Sequence, residues 1–101
     1  MCNEEKNMLK VLIADDEEKI CQLIIKLINW EEMGLKIAAT ASNGIEALEQ
    51  AKICKPEILI TDIRMPGIDG MELIRKVKEK LPDTEIIIIS GYRHFEYAQT
   101  A

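Results

Sequence analysis

The segment from Glu57 to Gly70 reads EILITDIRMPGIDG, and the order of its signals decides the fold. The run EILIT is rich in β-branched residues with little polar interruption, which predicts a buried strand over Glu57 to Thr61. The acid Asp62 and an irregular Met-Pro-Gly stretch follow. Asp69 and Glu72 then have the spacing of a capping box, which predicts the start of a helix. A buried strand that leads through a loop into a helix is typical of a parallel α/β sheet.

Three other short runs predict further strands. KVLIA and EIIIIS are apolar almost throughout, as expected of central strands that helices cover on both faces. The three runs are Lys10 to Ala14 (KVLIA), Leu35 to Ala41 (LKIAATA) and Glu85 to Ser90 (EIIIIS).

Stretches with helical spacing lie between the strands. The first helix is predicted to bury a stripe formed by Ile20, Leu23, Ile24, Leu27 and Ile28. The predicted helices run from about Glu17 to Ile28, from the Asn43 and Glu46 capping box to before Pro56, from Asp69 to before Pro82, and from about Phe95 onward. The alternation predicts a doubly wound parallel sheet, for which we expect right-handed crossovers and the common strand order 2-1-3-4.

Size and charge exclude several classes of protein. The 101 residues suffice for one domain, which we place at residues 8–101 after a polar tail at 1–7. Thirteen Lys and Arg against eighteen Asp and Glu give a net charge of −5, which argues against direct nucleic-acid binding. The longest apolar runs are far too short to span a membrane, so the cytoplasm is the expected compartment. The three cysteines form no Cys-x-x-Cys pair and are predicted to be free thiols.

Acidic residues follow two strands that the order 2-1-3-4 makes neighbours. Asp15 and Asp16 follow the first strand, and Asp62 follows the third. Because the carboxyl ends of parallel strands meet at one edge of the sheet, the three carboxylates are expected to share a pocket. Their mutual repulsion would be relieved by a hard cation such as Mg²⁺. The pattern therefore predicts a magnesium site beside a carboxylate that can attack a phosphoryl group.

Simpler explanations exist for each of these acids. Asp15 and Asp16 suit a helix N-terminus, where carboxylates accept hydrogen bonds from N–H groups and interact favourably with the helix dipole. Asp62 could instead form an Asx turn in its loop. Ser90, at the end of the fourth strand, could donate to a phosphoryl oxygen, but serine before glycine is also a common turn residue.

Three motifs, in order, are similar to those of the receiver domains of bacterial response regulators. They are IADDE at Ile13 to Glu17, TDIRMPGIDG at Thr61 to Gly70, and ISGY at Ile89 to Tyr92. The resemblance spans nearly the whole chain, and segments near Trp30 and Phe95 look most like receivers linked to AraC-type helix-turn-helix domains. It implies a flavodoxin-like fold and a role in two-component signalling, with a histidine kinase as partner.

The resemblance also implies roles for individual residues. Asp62 would be the phosphoacceptor, taking a phosphoryl group from the phosphohistidine of the kinase. Asp15, Asp16, Asp62 and the backbone carbonyl of Arg64 would bind Mg²⁺, and the hydroxyl of Ser90 would move onto the phosphoryl group. Such a receiver catalyses only its own phosphorylation and dephosphorylation, and it regulates transcription in the intact protein.

The sequence departs from the family pattern near its end. Receivers continue through a fifth strand, which ends in Lys-Pro and carries an aromatic switch residue, and then a fifth helix, whereas this sequence stops at Ala101. We therefore expect an incomplete receiver that lacks this strand and helix. Its fourth strand, with Ile86 to Ile89, would form an exposed apolar edge through which two copies associate.

Two other functions fit parts of the pattern. A phosphatase of the haloacid dehalogenase type also uses a strand-end aspartate and Mg²⁺, but that resemblance would require Asp-x-Asp where this chain has Asp62-Ile63-Arg64. A folded interaction fragment that cannot switch without the family's lysine is the second alternative.

Overall fold

Strands form over the short runs predicted as strands, and helices occupy segments with helical spacing between them. The computed structural model describes residues 8–65 and 67–89. At the described positions, strand bounds differ from those predicted by at most one residue. In chain order the elements are β1 (Leu9–Ala14), α1 (Glu18–Leu27), a 3-10 turn (Glu31–Met33), β2 (Leu35–Ala41), α2 (Gly44–Cys54), β3 (Ile58–Asp62), α3 (Gly70–Lys80) and β4 (Glu85–Ile89).

The four strands form one parallel sheet in the order β2-β1-β3-β4, which confirms the predicted flavodoxin-like topology. At their carboxyl ends the register aligns Ala14 of β1 with Ala41 on one side and with Thr61 on the other. The amide of Asp15 donates to the carbonyl of Ala41 at 3.0 Å, which continues the pairing one residue past β1. Residues that follow β1 and β3 therefore lie at the same edge of the sheet.

Strand β1 runs through the middle of the core, as its uninterrupted apolar sequence predicted. Leu12 and Ala14 pack into the layer under α2 and α3, whereas Val11 and Ile13 pack into the layer under α1. All four side chains are completely buried. Alternate residues of a strand point to opposite faces, so a strand with helices on both sides has no polar position.

The apolar run of β4 is typical of a central strand, but the predicted order 2-1-3-4 makes β4 an outer strand, and the described sheet confirms that order. Strand β4 pairs with β3 alone among the described strands, and Ile87 and Ile88 are 48% and 45% exposed. Apolar composition cannot distinguish a strand covered on both faces from an edge strand. Only the order of the strands makes that distinction.

The predicted core-facing stripe of α1 is partly wrong. Cys21 is the buried residue of this helix, and Ile24 and Ile25 pack beside it, whereas Leu23 and Leu27 are exposed. The positions of Cys21, Ile24 and Ile25 have the same i, i+3, i+4 spacing as the predicted stripe. The helix is therefore rotated towards the small thiol, whose sulfur lies 3.9 Å from the backbone oxygen of Asp15.

Helices α2 and α3 begin at the predicted caps. Oδ1 of Asn43 accepts from the amide of Glu46 at 2.8 Å, and Oδ1 of Asp69 accepts from that of Glu72 at 2.9 Å. The Glu46 carboxylate accepts from the amide of Ser42 rather than from that of the cap itself. Both caps satisfy amide groups at the starts of helices, at the edge of the sheet where the parallel strands end.

Several expectations fall outside the described residues, namely the polar tail at 1–7, Cys2, Ser90 and the helix near Phe95. Within the described ranges, Cys21 and Cys54 are free thiols, as predicted. No helix in the same ranges has the length and apolar character needed to cross a bilayer.

Candidate functional site

Three carboxylates meet where β1 and β3 end. Asp15 and Asp16 directly follow β1, and Asp62 is the last residue of β3, which pairs with β1 in parallel. One carboxylate oxygen from each of the three residues lies within 4.8 Å of the other two. The sheet therefore brings Asp62 close to Asp16 and Asp15, which precede it by 46 and 47 positions in the chain, as the predicted strand order implies.

The three acids differ in burial and in their hydrogen bonds. Asp15 and Asp62 are only 3% and 7% exposed, whereas Asp16 is exposed to solvent. Oδ1 of Asp15 accepts from the amide of Glu17 at 2.9 Å, and Oδ1 of Asp62 accepts from the amide of Ile63 at 2.7 Å. These bonds fix two of the three carboxylates against their own main chain.

The simpler explanations account for only part of this arrangement. The hydrogen bond from Glu17 gives Asp15 the geometry of an Asx turn. The N-cap position of α1 is occupied by Glu17, which makes no side-chain capping bond, so neither Asp15 nor Asp16 is the cap residue. Local turns also do not explain why Asp62, from another strand, lies beside them.

Burial makes the carboxylate of Asp15 costly to keep ionised. The pKa of Asp15 is raised from 3.8 to about 6, mainly by burial and to a smaller extent by the negative charges of Asp62 and Asp16. The hydrogen bond from Glu17 acts in the opposite direction because it stabilises the carboxylate. A divalent cation would offset this penalty, because its positive charge stabilises the ionised carboxylate and counters the repulsion among the acids.

The donor set fits a hard cation such as Mg²⁺. All three donors are carboxylate oxygens, which Mg²⁺ prefers to nitrogen or sulfur. Asp15, Asp16 and Asp62 are the residues that could hold the ion, and the exposed position of Asp16 leaves room for the waters that Mg²⁺ usually retains.

The other predicted site residues are less closely defined. Arg64 lies two residues after Asp62, in the loop that leads to α3, and is exposed. The ligand role of its backbone carbonyl stays a prediction. Because Ser90 lies outside the described residues, the role of its hydroxyl stays a prediction as well.

Two residues that sequence reasoning did not select contact the main chain of Asp62. The buried hydroxyl of Thr61 donates to the carbonyl of Asp62 at 2.9 Å. Gly70, the first residue of α3, packs against the same carbonyl. In the sequence, threonine is simply a common strand residue and this glycine follows a cap, so neither position gives a separate signal.

Comparison with known proteins identifies the family. Residues 11–101 match the response regulator receiver domain. The chain belongs to this receiver family. The receiver is 45% identical over 94 residues to the uncharacterized transcriptional regulatory protein YesN of Bacillus subtilis (strain 168). That match covers 93% of this chain but 26% of YesN, so the receiver spans about a quarter of the length of its relative.

Solved structures support the same assignment. The receiver is similar to the REC domain of AraT, a response regulator from Geobacillus stearothermophilus, with a TM-score of 0.84 and 44% identity over 93% of this chain and 73% of that one. It is also similar to a two component transcriptional regulator AraC from Clostridium phytofermentans ISDg, with a TM-score of 0.79 and 38% identity over 92% and 72% of the two chains. Both the receiver family and the likeness to AraC-type regulators are therefore confirmed.

Proposed function

We propose that this receiver accepts a phosphoryl group on Asp62 from the phosphohistidine of a histidine kinase, in a reaction that requires Mg²⁺ held by Asp15, Asp16 and Asp62. The observation that carries the proposal is the convergence of three carboxylates within 4.8 Å, two of them buried. Such a cluster is unfavourable by itself and is relieved by a hard cation. Membership of the receiver family supports phosphoryl transfer as the reaction of this cluster.

In the proposed reaction, an oxygen of the Asp62 carboxylate attacks the phosphorus atom. A P–O bond forms while the P–N bond to the imidazole breaks, and the imidazole leaves with that electron pair and takes up a proton. When bound, Mg²⁺ supplies neutralisation of charge on the phosphoryl oxygens. The amide of Ile63, which donates to Oδ1, holds the Asp62 carboxylate in one orientation. Asp15 and Asp16 bind the cation beside it.

The family resemblance adds two residues to this proposal. The backbone carbonyl of Arg64 would be a further ligand of the cation, and the hydroxyl of Ser90 would move onto the phosphoryl group. With these groups the receiver would catalyse its own phosphorylation and dephosphorylation and act on no separate substrate.

The output proposed for the longer protein is regulation of transcription, since YesN is named as a transcriptional regulatory protein. The receiver itself carries a net charge of −5, which opposes direct contact with a phosphate backbone. We therefore place DNA binding outside this chain, and we place the protein in the cytoplasm.

Phosphorylation by a small donor tests the proposal. Incubation with acetyl phosphate and Mg²⁺ should add one phosphoryl group, detected by intact-protein mass spectrometry. The Asp62→Asn variant and an EDTA-treated sample should gain none. Asp83→Asn is the matched control, because Asp83 is an exposed acid in the turn before β4, at the opposite edge of the sheet. Phosphate on the Asp62→Asn variant, or transfer that proceeds in EDTA, would contradict the proposal.

A further inference from the structure

The main chain around Asp62 is in direct contact with the start of α3. The amide of Gly70 donates to the carbonyl of Ile63 at 2.6 Å. A Cβ atom placed on Gly70 would overlap the carbonyl oxygen of Asp62 and lie 2.8 Å from Cα of Ile63. The helix and the strand end thus approach as closely as a glycine permits, and any larger residue would push them apart.

A second contact holds the same carbonyl from within the sheet. The hydroxyl of Thr61 donates to the carbonyl of Asp62 at 2.9 Å, and the Thr61 side chain is completely buried. Thr61 itself is fixed by pairing with Ala14 on one side and Ile88 on the other. The carbonyl of Asp62 is therefore set both by a rigid strand and by a helix terminus.

We infer that Gly70 and Thr61 are positioning residues for Asp62, holding its main chain where its carboxylate meets those of Asp15 and Asp16. The inference rests on the proposed function, because it concerns the same metal cluster. Mg²⁺ demands near-ideal octahedral geometry with short ligand distances. A displacement of Asp62 that the protein tolerates easily would therefore still weaken binding of the ion.

Gly44 provides a matched control for Gly70. It is likewise the buried first residue of a helix, α2, and a Cβ atom there would overlap the carbonyl oxygen of Ile68 instead of that of Asp62. Neither glycine has a positive φ, so alanine is excluded by lack of space rather than by backbone conformation. Alanine at Gly44 and at Gly70 should therefore cause similar steric damage, but only Gly70→Ala displaces a metal ligand.

Titration of the full chain with Mg²⁺ by isothermal calorimetry tests Gly70. The Gly70→Ala variant should bind the ion about tenfold more weakly or worse, as is typical when the support of a ligand is lost. Gly44→Ala should stay within about twofold of wild type, because its clash is with the carbonyl of Ile68 in the loop and not with Asp62 itself. Unchanged affinity in Gly70→Ala, or an equal loss in both variants, would overturn the role of Gly70.

Thr61 is tested with two variants that separate its hydroxyl from its shape. Thr61→Val keeps the branched shape and strand propensity but removes the donor, whereas Thr61→Ser keeps the donor and loses a buried methyl group. Mg²⁺ affinity should fall severalfold in Thr61→Val and be retained in Thr61→Ser, even though serine lowers thermal stability. The reverse order would show that packing matters rather than the hydrogen bond, and would overturn the role of Thr61.

A metal-free measurement separates this inference from the proposed function. The amide of Ile63 donates to the Asp62 carboxylate, so its proton shift in a ¹H–¹⁵N NMR spectrum reports the orientation of that carboxylate without the ion. Gly70→Ala and Thr61→Val should shift this signal, and Gly44→Ala should leave it in place. If wild type binds no Mg²⁺, the proposed function fails and this inference fails with it. If wild type binds Mg²⁺ and neither variant weakens binding, the inference alone fails.

Discussion

Replacement of Asp15 by asparagine is expected to stabilise the metal-free receiver while removing its affinity for Mg²⁺. Asp15 is almost fully buried, and its pKa is about 6 instead of 3.8. At 1.36 kcal/mol per pKa unit, this difference of about 2 units corresponds to at most about 3 kcal/mol of lost stability at neutral pH. Asparagine has no charge and retains an oxygen that can accept from the amide of Glu17.

The effect should depend on pH in a defined direction. Because the pKa of Asp15 is raised by folding, the folded protein binds more protons than the unfolded chain between about pH 4 and pH 6. The contribution of Asp15 therefore becomes less destabilising as the pH falls through this range. The stability advantage of Asp15→Asn should be largest above pH 7 and close to zero below pH 4.

Urea unfolding followed by circular dichroism in EDTA measures this difference. At pH 8 the variant should be about 1–3 kcal/mol more stable than wild type, and the advantage should shrink steadily towards pH 4. Glu49→Gln, at an exposed position of α2, removes the same charge and should change stability by less than about 0.5 kcal/mol. Mg²⁺ at about 100 times its Kd should stabilise wild type by about 2.7 kcal/mol and leave Asp15→Asn unchanged. A variant less stable than wild type at pH 8, or an advantage independent of pH, would refute the reasoning.

Two further predictions concern the scaffold. Asn43→Ala removes the side-chain cap of α2 and should cost about 1 kcal/mol in urea unfolding, whereas Asn29→Ala, outside any helix, should be nearly neutral; an equal loss in both would argue against the cap. We also expect the full chain to self-associate through the outer face and edge of β4, seen as a concentration-dependent mass by size-exclusion chromatography with light scattering. Ile88→Lys should suppress it, because a charged edge strand resists pairing, and a wild-type monomer at high concentration would exclude this association.

The sequence was most informative where one physical rule determines the outcome. The run Val11 to Ala14 has no polar position, as expected of a strand with helices on both faces, and its four side chains are completely buried. The acids could be placed in space because strands of a parallel sheet end at a common edge, which turns position in the chain into position in the fold. Asn43 and Asp69 were identified as caps because short polar side chains satisfy the amides at a helix start.

The sequence was least informative where two arrangements satisfy the same rule. In α1, the predicted stripe and the stripe through Cys21 have equal helical periodicity, and contact with the sheet selects the second. In β4, the apolar run is compatible with a central or an outer strand. The contacts of Thr61 and Gly70 depend on distances between a strand and a helix that only the assembled fold defines.

The unequal burial of the three acids indicates how the site would be loaded. Asp15 and Asp62 are buried, so little solvent screens their charges. These two carboxylates therefore attract a cation strongly. Asp16 is exposed, and it provides the side from which a hydrated ion and then a phosphoryl group can approach. A fully buried cluster would force Mg²⁺ to lose most of its waters, which it resists, whereas a fully exposed cluster would hold it weakly. Two buried acids and one exposed acid therefore combine strong attraction with open access.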